Sequence, residues 1–563
     1  MILRPTRFLL LSIVMILLLI LLWIRVGYLQ IVKHDFFKTK STQQLRRLIK
    51  VYPQRGKIFD RDHKLLASVI PSYATYVRPQ TIGDKSGFAE KIAPIIGETV
   101  QSLENRLSTT TSSFMWLKRQ CSLQQMALLK ESTISGIGSL KTQRRYYPQS
   151  TLAAHVLGFV GIDNQGLSGL EYLYDTHLKG TQGRVFIEGD PRGFPLMSGK
   201  KQSISNYDGY HLITTLDSFI QFSAERHLSK GVSLNDAIKG QVIVMNPQTG
   251  AILAMVSYPE MDANQWQKLP PSSRKNACIV DVYEPGSIFK PVTIASVLEE
   301  QIVTPGTVLT VPESLRVYDR TIHEAHDRPE DEDDRQTVSD ILQKSLNVGT
   351  SLLAHQLGEE KQYQYMSAFG FGKKTALKLP GESRGILRPQ PLWSKVDGTM
   401  MSFGQGVAVT SLQMASAIAC IANNGRYMQP RIINYIANAD FTTQKAEPII
   451  MKRQVIRPET ARQVTQIMVG VVEHGTATNV KIPGYTIAGK TGTAQKAKEN
   501  GRGYEKGKYI ASFVGFFPVE DPKYLILVMV DSPTRSIWGS SVAGPIFRNI
   551  ALDVINYFNI MPN

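Results

Sequence analysis

The sequence lacks the features that mark several common protein classes. Its 563 residues contain only three cysteines, Cys121, Cys278 and Cys420, which lie far apart and are odd in number. They form no disulfide framework, and we expect each to be a small buried residue. The sequence also lacks zinc-ligand spacing, an aromatic RNA-binding signature and dense Lys/Arg runs. We therefore predict that the chain does not bind nucleic acid.

Charge of both signs is present, with an excess of basic residues. Lys and Arg number 64 against 47 Asp and Glu, a formal net charge of +17. This balance suits an anionic lipid surface or an acidic polymer as partner. The 42% hydrophobic and 20% charged residues are typical of globular domains and exclude a protein with many membrane spans. The length predicts roughly two to four domains.

One long hydrophobic run stands at the N-terminus. Residues 8–24 contain no charge and a single polar residue, Ser12, and basic residues Arg4, Arg7 and Arg25 flank them. At roughly 1.5 Å per residue this run can span a bilayer. A cleaved signal peptide is the competing interpretation, but the run exceeds the usual hydrophobic region of about 7 to 15 residues. We predict an uncleaved anchor, whose orientation the flanking charges leave open.

The pattern of apolar residues changes once after the anchor, which predicts three parts: 1–32, 33–214 and 215–563. The middle part alternates short apolar stretches with polar turns, with brief strands predicted at 51–53, 57–59 and 65–69. In the last part, a helix is predicted at 218–228 and a hairpin at 240–258, then helices at 288–300, 340–357 and 411–423, and strands at 485–493, 510–517 and 524–531. Helices grouped between flanking strands favour an α+β domain with an antiparallel sheet.

The first candidate for chemistry is a serine and a lysine three positions apart at a predicted helix start. Ser287 and Lys290 share one face of that helix. A buried lysine near a second cation can lose its proton and activate a serine, and the helix N-terminus favours the developing anion. The motif alone is weak, because 198–201 and 272–275 have the same Ser-x-x-Lys spacing. Exposed polar residues are the simpler interpretation of any single copy.

Two further motifs follow in order and change that interpretation. Ser345-Leu-Asn347 lies 58 residues after Ser287, and Lys490-Thr-Gly-Thr493 lies 145 residues after Ser345. Together the three motifs resemble the Ser-x-x-Lys, Ser-x-Asn and Lys-Thr-Gly set of penicillin-binding proteins and serine β-lactamases. The alternative, three unrelated surface motifs, is disfavoured by their order.

The resemblance implies a role for each motif residue. Ser287 would attack the carbonyl of a D-Ala-D-Ala stem peptide of peptidoglycan, with Lys290 as its base, and D-Ala would leave. Ser345 would relay a proton to the leaving amine, and Asn347 would hold both the substrate amide and Lys290. Lys490 would supply positive potential for the substrate carboxylate and keep neighbouring amines deprotonated.

The resemblance also implies how the third motif binds substrate. Thr491 and Thr493 would bind the carboxylate through their hydroxyls, and Gly492 would leave space for the substrate along the strand. The backbone N–H groups of Ser287 and Thr493 would form the oxyanion hole. We predict no cofactor and no metal site. His323 and His326 resemble a metal-binding pair, but two histidines without a third ligand are typical of an exposed surface.

Longer matches extend the resemblance to class B penicillin-binding proteins. They lie at 284–291, 342–349 and 402–406 for the transpeptidase domain, and at 55–61, 145–148, 154–158 and 169–171 for a non-catalytic pedestal. His155 is therefore interpreted as a packing or turn residue. A class A enzyme would need a glycosyltransferase domain, for which there is no room, and β-lactamases have no pedestal. The implied fold class is α+β: a single N-terminal transmembrane helix, an elongated mixed pedestal, and a transpeptidase domain with a central antiparallel sheet flanked by helices.

Within class B, Asn347 favours the division-specific FtsI type, because the elongation type often has Asp there. This type implies an inner-membrane protein with its catalytic domain in the periplasm at the division septum. β-Lactams would inhibit it, and FtsW would be a divisome partner. An elongation-type transpeptidase and a non-enzymatic β-lactam sensor or divisome scaffold remain alternatives. Gln405, where many FtsI-type proteins have an aromatic residue, and an enlarged acidic loop at 319–335 depart from the family pattern.

Overall fold

The computed structural model describes residues 5–51, 53–132, 134, 136–188, 202–204, 207–325, 333–498 and 503–562. Three features singled out in the sequence lie outside these residues: the Ser-x-x-Lys copy at 198–201, His326, and the part of the acidic loop at 326–332.

The helices, in chain order, are Pro5–Gly27 (α1), His34–Leu45 (α2), Lys85–Ile96 (α3), Val100–Thr109 (α4), Leu123–Glu131 (α5), Ala154–Leu157 (α6), Gly169–Leu173 (α7), Asp175–Leu178 (α8), Ser218–Leu234 (α9), Ala277–Val280 (α10), Lys290–Glu299 (α11), Val338–Gln343 (α12), Asn347–Leu357 (α13), Glu359–Ala368 (α14), Asp397–Ser402 (α15), Ser411–Ala422 (α16), Pro458–Glu473 (α17) and Gly539–Tyr557 (α18).

The strands are Arg46–Val51 (β1), Ile58–Phe59 (β2), Leu65–Val77 (β3), Met115–Cys121 (β4), Ile137–Tyr146 (β5), Gly183–Glu188 (β6), Gln202–Ile204 (β7), His211–Thr214 (β8), Lys239–Met245 (β9), Ile252–Tyr258 (β10), Val308–Thr310 (β11), Ser314–Val317 (β12), Arg320–His323 (β13), Arg335–Thr337 (β14), Arg426–Met428 (β15), Ile433–Ala437 (β16), Gln444–Ala446 (β17), Met451–Gln454 (β18), Ala488–Ala497 (β19), Tyr504–Phe517 (β20) and Tyr524–Asp531 (β21).

Residues 1–54 and 180–208 form one compact unit. It contains α1, α2 and a three-stranded antiparallel sheet in the order β1-β6-β7. The apolar stretch Thr6–Val32 has a mean hydropathy of 2.9 and exposes its side chains. A stretch of this length and apolarity is compatible with a single membrane anchor.

Residues 55–179 and 209–563 form the second unit, which is built on a five-stranded sheet. Its order is β10-β9-β21-β20-β19, and every neighbouring pair is antiparallel. The central strand β21 is buried along its whole length, because helices cover both faces of the sheet. Helices α9, α16, α17 and α18 pack against it. The predicted α+β class, with a central antiparallel sheet flanked by helices, is confirmed.

A second sheet in this unit has the order β17-β16-β8-β2-β3-β4, with β5 paired to β3. The sheet joins chain segments from either side of residue 214, because β8 pairs with β2 on one side and with β16 on the other. The limits of the two compact units therefore do not coincide with the predicted part 33–214. A separate small core of apolar residues lies between β3, β4 and helices α3 to α5.

Three residues of the predicted pedestal motifs form a buried ion network. Arg55 Nη2 lies 2.6 Å from one Glu171 carboxylate oxygen, and Arg145 Nε donates to the other at 2.5 Å. Arg55 also donates to Asp175 at 2.6 Å, and Arg145 Nη1 donates to the Gly56 carbonyl at 2.7 Å. Opposite charges and hydrogen bonds compensate the desolvation of these groups, so they can be buried in their charged forms. The network joins three distant chain segments.

The structure corrects one predicted helix and the bounds of three predicted strands. The helix predicted at 340–357 is two helices, α12 and α13, because Ser345 between them has a left-handed φ of 65°. Strand β3 continues to Val77, β20 already begins at Tyr504, and the strand predicted at 485–493 is shifted to Ala488–Ala497. The prediction that all three cysteines are buried is confirmed. His155 is buried beside the Ser273 carbonyl and burial lowers its pKa, as suits a packing residue.

Candidate active site

Ser287 lies in a short turn that leads directly into a helix. The 3-10 turn Gly286–Phe289 precedes α11, which begins at Lys290 and has Pro291 in its first turn, where a missing N–H costs nothing. Gly286 has a φ of 57° and donates its N–H to the Gly404 carbonyl at 3.0 Å. This hydrogen bond thus joins the 402–406 segment to the turn that contains Ser287.

The cleft in front of Ser287 has a volume of about 440 Å³. Three predicted site residues line it: Ser287, Asn347 and Thr493. The other lining residues are Gly286, Arg320, Thr321, Ile322, His323, Glu324, Ala325, Met400, Phe403, Gln405, Gln495, Tyr509, Ile537 and Trp538. The remaining predicted residues, which are Lys290, Ser345, Lys490, Thr491 and Gly492, do not belong to this lining.

Lys290 is fully buried next to the Ser-x-Asn motif. Its Nζ donates to the Ser345 carbonyl at 2.5 Å and to Asn347 Oδ1 at 2.8 Å, and lies 3.3 Å from Ser345 Oγ. Burial lowers the pKa of Lys290 to about 7, against a smaller opposing effect of the Glu324 carboxylate. A substantial fraction of this amine is therefore neutral at physiological pH.

Lys490 approaches the same serine from β19. Its Nζ donates to Ser345 Oγ at 2.8 Å, so one hydroxyl lies between two buried amines. Burial and repulsion from Lys290 hold the pKa of Lys490 well below its usual range. The left-handed backbone at Ser345 makes this possible, because it ends α12 and turns the serine between the lysines.

The two threonines of the third motif have different surroundings. Thr493 lines the cleft, and its Oγ1 accepts from the Gly539 N–H at 3.1 Å. Thr491 Oγ1 lies 2.8 Å from Thr476 Oγ1 and away from the cleft lining. Both hydroxyls therefore have partners within the chain.

Gly492 packs closely against other parts of the chain, and its clearance for substrate stays a prediction. A Cβ at this position would lie 2.4 Å from Ser512 Oγ and 2.9 Å from Ile288 Cγ2. Ile288 directly follows the nucleophile candidate, so the glycine lets β19 pack closely on the turn that holds Ser287.

Sequence reasoning missed two glutamates that organise the site. Glu284 accepts from the Gly406 N–H and from the Tyr504 hydroxyl, both at 3.0 Å, and burial raises its pKa. Glu324 accepts from the backbone N–H groups of Asn347 and Val348. The position of Glu324 beside His323 is the available signal in the sequence, but the motif there indicates only the histidine pair His323 and His326. Among the described residues, no cluster of three or more His, Cys, Asp or Glu could hold a metal ion.

Residues 240–552 match the family described as penicillin binding protein transpeptidase domain. The chain belongs to this family. Residues 50–214 match the penicillin-binding protein dimerisation domain, which this chain shares with class B members.

Curated relatives of this penicillin-binding protein cover nearly the whole chain. Stage V sporulation protein D of Bacillus subtilis is 33% identical over 96% of this chain and 83% of its own length. Peptidoglycan D,D-transpeptidase FtsI of Escherichia coli is 31% identical over 96% of this chain and 90% of its own length. The recognition of a class B penicillin-binding protein, made from the motifs, is confirmed.

A solved structure supports the same assignment. Penicillin binding protein 3 of Mycobacterium tuberculosis, crystallised with aztreonam, is 27% identical to this chain with a TM-score of 0.72. The comparison covers 92% of this chain and 98% of the other. The likeness therefore includes both the predicted pedestal region and the transpeptidase domain.

Proposed function

We propose that this penicillin-binding protein is a peptidoglycan D,D-transpeptidase that cross-links stem peptides at the division septum through an acyl-enzyme on Ser287. The observation that carries the proposal is the pair of buried lysines on Ser345, next to a serine that opens onto the cleft. A lysine kept partly neutral by burial is a competent base for such a serine.

In the first half of the reaction, the neutral Lys290 amine takes the Ser287 hydroxyl proton as Oγ forms a bond with the D-Ala carbonyl carbon. The carbonyl oxygen becomes an anion, which the backbone N–H groups of Ser287 and Thr493 stabilise. The C–N bond then breaks, the leaving D-Ala amine receives a proton through Ser345, and an ester on Ser287 remains. In the second half, the amine of another stem peptide attacks the ester carbonyl carbon and forms an amide. The ester C–O bond breaks, and the proton from the amine passes through Lys290 to the Ser287 oxygen.

Asn347, Lys490, Thr491 and Thr493 complete the proposed site. Asn347 Oδ1 accepts from Lys290, and its amide faces the cleft where the substrate peptide would lie. Lys490 contributes positive potential for the substrate carboxylate, which Thr493 and Thr491 would bind by hydroxyl hydrogen bonds after exchanging their present partners. β-Lactams would acylate Ser287 in place of the stem peptide, in keeping with the aztreonam complex of the mycobacterial relative.

The domain division and cellular location follow from the same proposal. Residues 1–32 would be the inner-membrane anchor, 33–214 the pedestal and 215–563 the periplasmic transpeptidase domain. The likeness to FtsI and the residue Asn347 support a septal role. FtsW is proposed as the partner from the resemblance to the FtsI type. Filamentation after depletion tests this role, and cells that round up without filaments would favour an elongation role.

Mass spectrometry of the intact full chain after exposure to a penicillin tests the nucleophile. We expect one adduct, mapped to Ser287, and its complete loss in Ser287→Ala. Ser272→Ala is the matched control, because Ser272 has the same Ser-x-x-Lys spacing but is exposed in another 3-10 turn, and its adduct is expected to match wild type. An adduct that persists in Ser287→Ala contradicts the proposal.

A further inference from the structure

The helix that begins with Asn347 has no N-terminal cap from its own segment. Its N-cap residue, Leu346, offers no side-chain hydrogen bond to the first turn. Free N–H groups at a helix start need an acceptor. Glu324, 23 residues upstream in the chain, provides it: one carboxylate oxygen accepts from Asn347 N–H, and the other accepts from Val348 N–H at 3.1 Å.

The same segment fixes the side chain of Asn347. The His323 carbonyl accepts from Asn347 Nδ2 at 3.0 Å, and Lys290 donates to Asn347 Oδ1 at 2.8 Å. An amide held at both ends cannot rotate, so its oxygen and nitrogen keep their positions. Since Nδ2 carries two hydrogens, one stays available for a ligand in the cleft.

We propose that Glu324 is a positioning residue for acylation, which holds the Ser345-Leu346-Asn347 turn and the Asn347 amide against Lys290. The inference rests on the proposed function, because it assumes that Lys290 activates Ser287. Glu324 itself lines the cleft at the end of the β12–β13 hairpin. Because its two carboxylate oxygens accept from the backbone N–H groups of Asn347 and Val348, it acts through Asn347 and Lys290 and not by contact with the reacting atoms.

The negative charge of Glu324 affects the pKa of Lys290, an effect that an uncharged helix cap would not have. The charged and titratable groups around this corner are Lys490 on β19, Tyr509 on β20, and Arg320, His323 and Glu324 on the hairpin segment. Among the groups acting on Lys290, the Glu324 carboxylate favours the protonated amine and so opposes the effect of burial. Loss of this negative charge lowers the pKa of Lys290 further.

The test measures the rate of acylation by fluorescent penicillin, as a function of pH, in the full chain purified in detergent. Glu324→Ala removes the cap and the charge, and we expect the rate to fall roughly tenfold. Glu324→Gln keeps one acceptor oxygen, so we expect a smaller fall, with the acidic limb of the pH profile moved to lower pH. Glu313→Gln is the control, because Glu313 is exposed at the start of the same hairpin, and its profile is expected to match wild type.

The outcomes separate this inference from the proposed function. If wild type and Ser287→Ala are labelled equally, the proposed function fails. If wild type is labelled on Ser287 but Glu324→Gln keeps the wild-type pH profile, the positioning role of Glu324 is overturned. Melting temperatures of the variants show whether a slower reaction reflects unfolding, and the Gln variant is the decisive one because its shape is nearly unchanged.

Discussion

Two buried clusters of ionisable side chains in this protein differ in the signs of their charges. In the Arg55–Glu171–Arg145 network, each guanidinium faces a carboxylate, and the side chains are at most 2% exposed. At the active site, Lys290 and Lys490 have the same sign and meet on the neutral hydroxyl of Ser345. The first arrangement favours the charged forms of its side chains, whereas the second disfavours the charged forms of its two lysines.

The pKa shifts express this difference. Burial alone would lower the pKa of Arg55, but the charges and hydrogen bonds of Glu171 and Asp175 outweigh it and raise that pKa. Burial lowers the pKa of both active-site lysines, and repulsion lowers that of Lys490 further. In the arginine–glutamate network the opposite charges balance, and the network joins distant chain segments. At the active site no equal negative charge balances the lysines, so a buried amine becomes neutral and can act as a base.

The largest expected effect comes from removing the base. Lys290→Met keeps an unbranched buried side chain but deletes the amine, so we expect penicillin acylation of Ser287 to slow by roughly 10²- to 10⁴-fold. Fluorescent penicillin labelling over time measures it, with the melting temperature as a check that the variant is folded. An acylation rate within a few-fold of wild type would assign the base to another group.

Breaking the compensated cluster is expected to affect stability instead of chemistry. Glu171→Gln removes the carboxylate that pairs with both buried guanidinium groups and leaves Arg55 with Asp175, and we expect a loss of about 3 to 5 kcal/mol in the free energy of unfolding. Denaturant titration of the purified chain measures it. The molecules that remain folded should acylate at the wild-type rate, and a selective loss of acylation would contradict a purely structural role.

A smaller effect is expected from removing one of the two like charges. Acylation of wild type should rise with pH through the pKa of Lys290, about 7, because the neutral amine is the active form. In Lys490→Gln the burial that lowers the pKa of Lys290 remains, so the acidic limb should stay at the same pH. A limb that moves to higher pH would show that repulsion from Lys490 also lowers the pKa of Lys290. Lys496→Gln, on the same strand but paired with Asp531, is the control and should leave the limb in place.

The smallest effect is expected at the surface. Arg535 and Asp236 form an ion pair at 2.8 Å in which both side chains are more than half exposed. Arg535→Ala should change the free energy of unfolding by less than about 1 kcal/mol, because water and salt screen the pair. Denaturant titration beside Glu171→Gln gives the contrast, and an equal loss in both variants would show that burial is not what separates them.

Several features of the fold and of the candidate site could be predicted from the sequence. Motif order placed Ser287, Lys290, Ser345, Asn347 and Lys490 in one site, and hydrophobic patterning predicted the anchor, the hairpin at 240–258 and the α+β class. Such inferences are possible because side-chain chemistry and local periodicity are written directly in the chain, and those of family and fold class are confirmed.

Other features depended on contacts between distant segments. The break at Ser345 could not be predicted from helical periodicity, because apolar residues recur on both sides of it in 340–357 and a left-handed residue does not alter that pattern. The close packing at Gly492 could not be predicted either, because it depends on the approach of β19 to the side chains of Ser512 and Ile288.

The amino-acid sequence by itself determined the family, the nucleophile candidate and its partners, because those are matters of residue type and order. Only the tertiary structure decided which charges compensate one another. It brought Glu171 to two arginines and Glu324 to the start of α13, and it left two lysines on a single hydroxyl. Desolvation and Coulomb interactions depend on distance in space, and no spacing along the chain reports that distance.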